Sequence, residues 1–364
     1  MVITTLKFFL GFVYEYAFKA IMTLIEMNIV PDFIIRRGVR MLQQTRIDVE
    51  EKSGVEERQR WFMDLVEGVK KRNIAEQTGA ANEQHYEVPT KFYEYVLGKN
   101  FKYSCCLFNS PNDSLDAAEV AMLELYCQRA QLQDGQNVLE LGCGWGSLCL
   151  FVAKKYPKSS VTAVSNSKTQ KEYIMGECVK RGINNLQVVT ADINAFAPPQ
   201  PGSYDRCVSI EMFEHMKNYK ELMYRVNSWL KPGGMLFVHI FVHKAFAYHF
   251  EVQSEDDWMA RYFFTGGTMP SDHLLLYFQE NLKIVDHWNV NGTHYALTSE
   301  AWLKNMDNHK KQVMPIIRET YGAHQQTKWF VYWRLFFIAV AEMFAWDKGN
   351  EWYVSHYLFE KPAA

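Results

Sequence analysis

The sequence predicts an α/β protein built on a mostly parallel sheet, with a helical amino-terminal segment and helical cap insertions. Two observations predict the sheet. From residue 113 onward short apolar segments alternate with helical patterns, and a glycine-rich loop follows the first of those segments. Strands that alternate with helices at this spacing form parallel sheets covered on both faces. With 364 residues, 48% of them hydrophobic, the chain is long enough to bury a sizeable core.

The elements of this sheet follow from their patterns and turn signals. A helix is expected to begin after Asp113 or Ser114, either of which can cap it, and to end near residue 130. The predicted strands are Asn137–Leu141, Ser160–Val164, Gln187–Thr190, Tyr204–Ile210, Met235–Ile240, Leu282–Val290 and Tyr353–Phe359. The predicted helices are Ser147–Lys155, Lys168–Arg181 and Lys220–Leu230, together with helices across residues 299–345.

Charge and cysteine content narrow the classes of function. The 39 Lys and Arg residues against 41 Asp and Glu residues give a formal charge of −2. That balance argues against nucleic-acid binding as the main activity. The seven cysteines show neither disulfide nor zinc spacing. We therefore expect reduced thiols, no metal site and a cytoplasmic protein.

The amino terminus is apolar but interrupted by charge. Residues 1–30 are rich in Phe, Ile, Leu and Met, with four charged residues among them. No uncharged run reaches the roughly 18 residues of a spanning helix, and the pattern makes a poor signal peptide. Two interpretations stay open: an amphipathic helix in peripheral contact with a membrane, or a helix packed on the protein body or on a second subunit of a homodimer. We favour the packed helix.

The strongest motif is Val138-Leu139-Glu140-Leu141-Gly142-Cys143-Gly144-Trp145-Gly146. It reads as a strand with an acidic residue, then a G-x-G-x-G loop, then the start of a helix. Glycines let the backbone turn tightly and pass close to a ligand. A dinucleotide site would have G-x-G-x-x-G, and no P-loop G-K-[ST] follows. The loop therefore favours S-adenosylmethionine as its ligand.

This stretch resembles motif I of the class I S-adenosylmethionine methyltransferases, whose fold is Rossmann-like. The later segments agree in order. Most members of the class have an acidic residue at the end of the second strand, where this chain has Asn166 and then Gln170. Their amides can bond ribose hydroxyl or carboxylate groups. The resemblance implies that Asp192 and Ile193 form the adenine pocket.

Further motifs make the resemblance closer. They are Lys102–Cys106, Val161–Gln170, Glu211–Tyr219, Phe263–Ser271, Tyr332–Arg334 and Trp352–Pro362. Together they resemble the plant coclaurine N-methyltransferase group, itself similar to bacterial cyclopropane fatty-acid synthases, over residues 80–362. The resemblance implies methyl transfer from S-adenosylmethionine to the nitrogen of a small aromatic amine of the benzylisoquinoline or phenylalkylamine type. It implies a cofactor site of Tyr103, Ser104, Gly142, Gly144, Asn166, Gln170, Asp192, Ile193 and Ile210.

With this fold the chain divides into four parts. Residues 1–95 are a helical amino-terminal segment, and residues 96–242 are the S-adenosylmethionine-binding core. Residues 243–283 are a cap insertion. Residues 284–364 hold the last strands of the core with an inserted helical substrate cap. We expect both caps over the carboxyl ends of the strands, where such sheets bind ligands.

Methyl transfer to an amine is helped by a base, because the amine has a proton to lose. Glu211, Glu214 and His215 follow the fourth strand. If a helix begins there, Glu211 and His215 lie at i and i+4 on one face, about 6 Å apart. A carboxylate beside an imidazole would let the ring act as base. The resemblance makes Glu211 and His215 the expected base pair; the alternative is a capped helix start with ordinary polar residues.

The alternative chemistry is alkylation of unsaturated phospholipid acyl chains, as in cyclopropane synthases. Those enzymes hold a bicarbonate, and the residues that match its ligands are Cys105, Glu214, His239 and Tyr295. A retained bicarbonate site could equally be a structural relic. The synthases also have a cysteine four residues before a phenylalanine near the carboxyl end, where this chain has Val340 before Phe344. A binding protein on a degenerate scaffold is disfavoured by the intact glycine loop.

Aromatic residues are concentrated in the predicted caps. Ring faces attract alkylammonium groups and stack on aromatic substrates. Each such contact contributes about 0.5–2 kcal/mol of binding free energy when it is desolvated. We predict substrate contacts for Tyr262, Phe263, Tyr295 and Trp333. Other aromatic side chains of the same segments, such as Phe336 and Phe337, are expected to lie in the hydrophobic core.

Overall fold

The computed structural model describes residues 15, 17–51, 54–76, 88–252, 254 and 257–363. The expectations for residues 1–14 lie outside this part of the chain. The described helices, numbered α1 to α12, are residues 17–26, Asp32–Glu50, Val55–Val69, Thr90–Val96, Leu115–Arg129, Ser147–Lys155, Lys168–Arg181, Tyr219–Trp229, Trp258–Tyr262, Thr293–Asn308, Lys310–Tyr321 and Gln326–Ala345. Ser114 caps α5, because its Oγ accepts from the backbone N–H of Ala117. Asp113 instead accepts from the backbone N–H of Ser110.

The main sheet has seven strands in the order β3-β2-β1-β4-β5-β9-β8. The strands β1 to β9 are Asn137–Leu141, Ser160–Ser165, Leu186–Thr190, Tyr204–Ile210, Leu230–His243, Tyr248–His249, Thr268–Met269, Lys283–Val290 and Trp352–Glu360. The first five strands in the order are parallel, and β9 and β8 are antiparallel to β5 and to each other. The predicted fold is therefore confirmed, including its two closing strands.

The hydrophobic core lies on the two faces of this sheet. One cluster joins α5, α6 and the late helices, and the other joins α3, α8 and the loop after β7. Among the described residues, one helical stretch, Ala323–Gly349, is long and apolar enough to cross a membrane, with a mean hydropathy of 1.3. Protein atoms already bury 67% of that window. The stretch therefore serves as the central helix of the cap.

The described part of the amino-terminal segment packs on α12. Arg36 donates to Glu300 at 2.5 Å and to Glu342 at 2.8 Å. Arg334 of α12 pairs in turn with Asp32. These contacts join α2 to α10 and α12.

Candidate active site

The glycine loop leaves open space beside the carboxyl end of β1. The backbone N–H groups of Gly142 and Cys143 both donate to the carbonyl of Val164, at 3.0 and 2.9 Å. Gly142 and Gly144 have φ angles of +76° and +51°, which favour glycine. A Cβ at Gly142 would lie 2.6 Å from the Met212 side chain, whereas a Cβ at Gly144 would meet nothing within 4 Å. The space beside Gly144 is therefore available to a ligand.

The end of β2 presents an unused donor. Ser165 donates through its hydroxyl to Oε1 of Gln170 at 2.6 Å, and Ser167 Oγ accepts from the backbone N–H of Gln170. The Gln170 side chain is thereby fixed. Its Nε2 is buried and has no partner among the described residues. A buried amide donor of this kind suits a hydroxyl or carboxylate of the cofactor.

The other predicted cofactor residues lie at the same edge of the sheet. Asn166 follows β2, and Asp192 and Ile193 follow β3. Oδ1 of Asp192 accepts from the backbone N–H of Asn194 at 2.8 Å, which fixes the turn after β3. Ile210 is the last residue of β4. The fold thus brings these residues to the carboxyl ends of neighbouring strands, as such a ligand requires.

A buried carboxylate shapes the loop that carries Tyr103 and Ser104. Glu119 of α5 is fully buried and accepts from the backbone N–H groups of Gly98, Asn100 and Lys102, at 3.0, 2.7 and 3.3 Å. Burial raises the pKa of Glu119, and these donors oppose that shift. Glu119 was not among the predicted site residues, although an acidic side chain beside the buried positions of α5 could have indicated it.

Two further contacts hold this loop in place. The ring of Tyr103 packs 5.4 Å from the ring of Tyr93 and 5.4 Å from that of Trp302, between α4 and α10. Ser104 Oγ accepts from Nζ of Lys102. With the open glycine loop and the unused Gln170 donor, the residues present fit S-adenosylmethionine, which Gly142, Gly144, Gln170 and Asp192 would hold.

The predicted helix at Glu211 is wrong. Glu211 lies just past β4 with a φ of +47°, a left-handed conformation that is uncommon outside glycine. Only a short 3-10 turn, Phe213–His215, follows it. Glu211 and His215 are therefore not partners at i and i+4 on one helical face. A strained backbone angle at a strand end is typical of functional sites.

The carboxylate of Glu211 is bound by three donors from three other elements. Its Oε1 lies 2.9 Å from the backbone N of Cys105 and 3.0 Å from Nε2 of His239. Its Oε2 accepts from the hydroxyl of Tyr295 at 2.6 Å. A carboxylate offers about four acceptor positions, two on each oxygen. Among the described residues these donors fill three, which leaves one position on Oε2.

These three donors are also three of the four residues that the resemblance assigned to a bicarbonate. The fourth, Glu214, is fully buried, and its Oε2 has no partner among the residues described. The Glu211 side chain thus places a carboxylate where the alternative chemistry needs a bicarbonate. Tyr295 is also a predicted substrate contact. In the structure its hydroxyl is already bonded to Glu211, which gives this side chain a second role.

Burial and neighbouring charges give the carboxyl groups of Glu211 and Glu214 different protonation states. Burial raises the pKa of Glu211, while the Lys102 ammonium and the Cys105 and Tyr295 donors oppose the shift. Burial, followed by the charge of Glu211, raises the pKa of Glu214 well above its ordinary value. We therefore assign the negative charge to Glu211, which has three donors, and a proton to Glu214. Lys102 is itself buried, with Nζ on the Cys105 carbonyl at 2.6 Å.

His215 lies against the first cap. Its ring packs 4.7 Å from that of Phe264. Two residues on, the buried ammonium of Lys217 donates to Thr268 Oγ1 at 2.7 Å and to the Gly267 carbonyl at 3.1 Å. Burial lowers the pKa of Lys217 to about 8. The turn Phe213–His215 is therefore joined to the first cap through His215 and Lys217.

Replacing Gly267 by alanine is expected to lower kcat by roughly 10- to 10²-fold, because it displaces a ring that packs on His215. A Cβ at Gly267 would lie 1.9 Å from the Phe264 ring. Gly176→Ala on the exposed face of α7 is the control, since its Cβ meets nothing within 4 Å. Steady-state kinetics and a thermal melt test this, and an unchanged kcat in Gly267→Ala would contradict it.

The remaining predicted substrate residues lie in the caps. Tyr262 is half-buried and packs 4.8 Å from Tyr332. Phe263 and Trp333 are fully buried and pack 5.2 Å from each other. Phe337 is also fully buried, as predicted, whereas Phe336 is half-buried. Of the three predicted substrate residues in the caps, Tyr262 is the one that is not fully buried.

Comparison with known proteins agrees with this fold and with S-adenosylmethionine as the cofactor. A profile of the mycolic acid cyclopropane synthetase family matches residues 74–350. (S)-coclaurine N-methyltransferase of Thalictrum flavum subsp. glaucum is 42% identical over 93% of this chain and 94% of its own length. Pavine N-methyltransferase of the same plant is 38% identical over 93% of this chain and 95% of its own length.

A solved structure is similar along nearly the whole chain. It is the crystal structure of a coclaurine N-methyltransferase bound to N-methylheliamine and S-adenosylhomocysteine. It is 40% identical and superposes with a TM-score of 0.91 over 95% of this chain and 100% of that one. The chain therefore belongs to the mycolic acid cyclopropane synthetase family. It is an S-adenosylmethionine-dependent N-methyltransferase that acts on a small molecule.

Proposed function

We propose that the chain methylates the nitrogen of a benzylisoquinoline-type amine, with Glu211 and His215 orienting and deprotonating it. S-adenosylmethionine, when bound, supplies an activated methyl group. The protein must then hold a neutral amine in line and take up its proton. The relatives named for coclaurine and pavine support this substrate class.

The observation that carries this proposal is the remaining acceptor position on Oε2 of Glu211. An ionised carboxylate with one open acceptor position suits the N–H of an incoming ammonium group. The donors from Cys105, His239 and Tyr295 hold it in place. His215, four residues further along the chain, is the second proposed base. The aromatic cap residues, Tyr262 first, would pack on the rings of the amine.

We further propose a cytoplasmic location. All seven cysteines are free and buried. This state is the one expected in a reducing compartment.

Contact of the amino-terminal segment with a membrane or a second subunit stays a prediction. Its support is the exposure of large apolar side chains there, including Met27 at 60% and Phe33 at 73%. Sedimentation of the purified protein with and without liposomes tests it. The prediction would be contradicted if the protein sediments as a monomer and does not bind to the liposomes.

The pH profile should show Glu211 as a base of raised pKa. Burial raises its pKa above the ordinary value, so its base form is lost as the pH falls through that raised pKa. We expect log(kcat/KM) of the wild type to fall with an additional slope of one below it, on top of the slope from amine protonation. Glu211→Gln with the same amine should lack the additional slope. Equal slopes in both proteins would contradict the assignment.

A product assay by mass spectrometry tests the proposed function. Purified protein and S-adenosylmethionine are offered benzylisoquinolines, tetrahydroprotoberberines, phenylalkylamines and unsaturated phospholipids. The proposal predicts the mass of one added methyl group on a benzylisoquinoline-type amine. A methylene added to a phospholipid, with the amines unchanged, would overturn it and restore the cyclopropane-synthase alternative.

A further inference from the structure

A continuous series of hydrogen bonds runs from Glu211 through the sheet to α5. His239 of β5 and His356 of β9 are directly opposite each other in the antiparallel pair. Nδ1 of His239 lies 2.8 Å from Nε2 of His356, and Nδ1 of His356 lies 2.7 Å from a terminal nitrogen of Arg129. Both histidines are fully buried. Since Nε2 of His239 faces Glu211, four side chains form one chain of contacts.

The guanidinium sets the direction of every bond in this series. It has donors and no acceptor, so Nδ1 of His356 must accept. A neutral His356 then carries its proton on Nε2 and donates to Nδ1 of His239. A neutral His239 in turn carries its proton on Nε2 and donates to Glu211. Burial, together with the charges of Lys102 and Arg129, lowers the pKa of both histidines well below the ordinary value, which keeps them neutral.

We propose that Arg129 is a positioning residue for the proposed base: through His356 and His239 it ensures that Glu211 always faces an N–H donor. The reverse direction would let a protonated Glu211 donate to an unprotonated Nε2 of His239. That arrangement would place the N–H of His356 Nδ1 against an N–H of Arg129. Arg129 therefore penalises the protonated form of Glu211 and keeps the carboxylate ionised.

This series of hydrogen bonds cannot serve as an exit for the substrate proton. His239 has no lone pair directed at Glu211, and a guanidinium does not take up a proton near neutral pH. The proton must leave Glu211 on its open side, at Oε2. Arg129 itself does not touch Glu211, because it lies on the far side of the two histidines.

The other charged and titratable groups around the series are few. Lys102, Cys105, Glu214 and Tyr295 surround Glu211. The ring of Tyr126 packs on both histidines, at 5.2 and 5.6 Å. On β8, Asp286 and His287 lie near the outer end. The guanidinium of Arg129 stacks 5.0 Å from the ring of Trp288.

The test replaces the guanidinium while keeping its packing. Arg129→Met removes every donor, whereas Arg129→Lys retains a group that only donates. Arg206→Met is the matched control, since Arg206 is a half-buried arginine of β4 that donates to the backbone carbonyls of Ala130 and Asp205. The inference rests on the proposed function, so one of its two measurements uses no substrate.

The substrate-free measurement is nitrogen-15 NMR of the histidine rings. In the wild type both His239 and His356 should carry their proton on Nε2 across the pH range of the folded protein. In Arg129→Met, His239 should change to the Nδ1–H tautomer as the pH falls. A proton on Nδ1 of either histidine in the wild type would overturn the proposal, and this result is independent of which substrate is methylated.

The kinetic measurement is the acid limb of kcat/KM. In Arg129→Met the midpoint of this limb should move to a higher pH by about one unit. A shift of that size corresponds to the free energy of about one hydrogen bond to a charged group. Arg129→Lys and Arg206→Met should keep the wild-type limb. An unshifted limb in Arg129→Met would overturn the proposal. An equal shift in Arg206→Met would also overturn it, because general loss of charge would then suffice.

Discussion

Glu211→Gln is expected to lower kcat by about 10³-fold, the middle of the range that a positioned base contributes. The amide keeps the shape of the side chain, and its oxygen can still accept from Cys105 and His239. Its NH2 group can only donate to the Tyr295 hydroxyl oxygen, and it cannot take up the proton. The dissociation constant for S-adenosylmethionine should stay within a factor of two, because the cofactor is held by other residues. Single-turnover rates and calorimetry measure the two quantities. His215→Ala should lower kcat by about 10²-fold with the same intact cofactor binding.

Glu214→Gln is the matched control for this result. Glu214 is assigned a proton already, so an amide changes neither its charge nor its volume. We expect kcat within about tenfold of the wild type. Unchanged turnover in both Glu211→Gln and His215→Ala would contradict the base assignment. A larger loss in Glu214→Gln than in Glu211→Gln would exchange the roles of the two carboxyl groups.

The second large effect is expected for Gly144→Val, which should abolish cofactor binding. Its branched side chain would fill the open space beside the glycine loop, and a φ of +51° is unfavourable for it. A loss of at least 10²-fold in affinity corresponds to about 2.7 kcal/mol. Calorimetric titration with S-adenosylhomocysteine measures it directly.

Gly182→Val separates this effect from backbone strain. Gly182 ends α7 with a φ of +66°, and a Cβ there also meets nothing within 4 Å. Both variants should lose similar stability, on the order of 1–2 kcal/mol for a left-handed residue with a side chain. Only Gly144→Val should lose the cofactor. Equal affinities in the two variants would show that the space beside Gly144 is not the cofactor site.

The sheet was predictable because its signals are local. Each strand has a short apolar run and each helix its own pattern and boundary, so most boundaries were right to within a few residues. The strand β5 is longer than predicted at both ends. Leu230 pairs with Tyr204 before a register shift that takes in Pro232 and the glycines, and at the other end the pairing with β9 continues to His243. The positions of Gly142, Asn166 and Asp192 were predictable for the same reason, since they follow consecutive strands.

The contacts of Glu211 were not predictable from spacing, because they join distant parts of the chain. The resemblance grouped Cys105, His239 and Tyr295 but assigned them to a bicarbonate. Glu211 meets Cys105, His239 and Tyr295, and no sequence spacing relates those four positions. No α-helix begins at Glu211, because this residue has a left-handed backbone conformation. The sequence does not indicate such a conformation when the residue is not a glycine. His356 was missed as well, since only the register of β9 on β5 brings it to His239.

Chemical rescue of Glu211→Gly tests the central claim most directly. Glycine suits the φ of +47° and leaves the donors of Cys105, His239 and Tyr295 facing an open volume. The account predicts loss of amine methylation, restored at least tenfold by added formate or bicarbonate and not by chloride at the same ionic strength. Wild-type methylation by Glu211→Gly without any added carboxylate would contradict it.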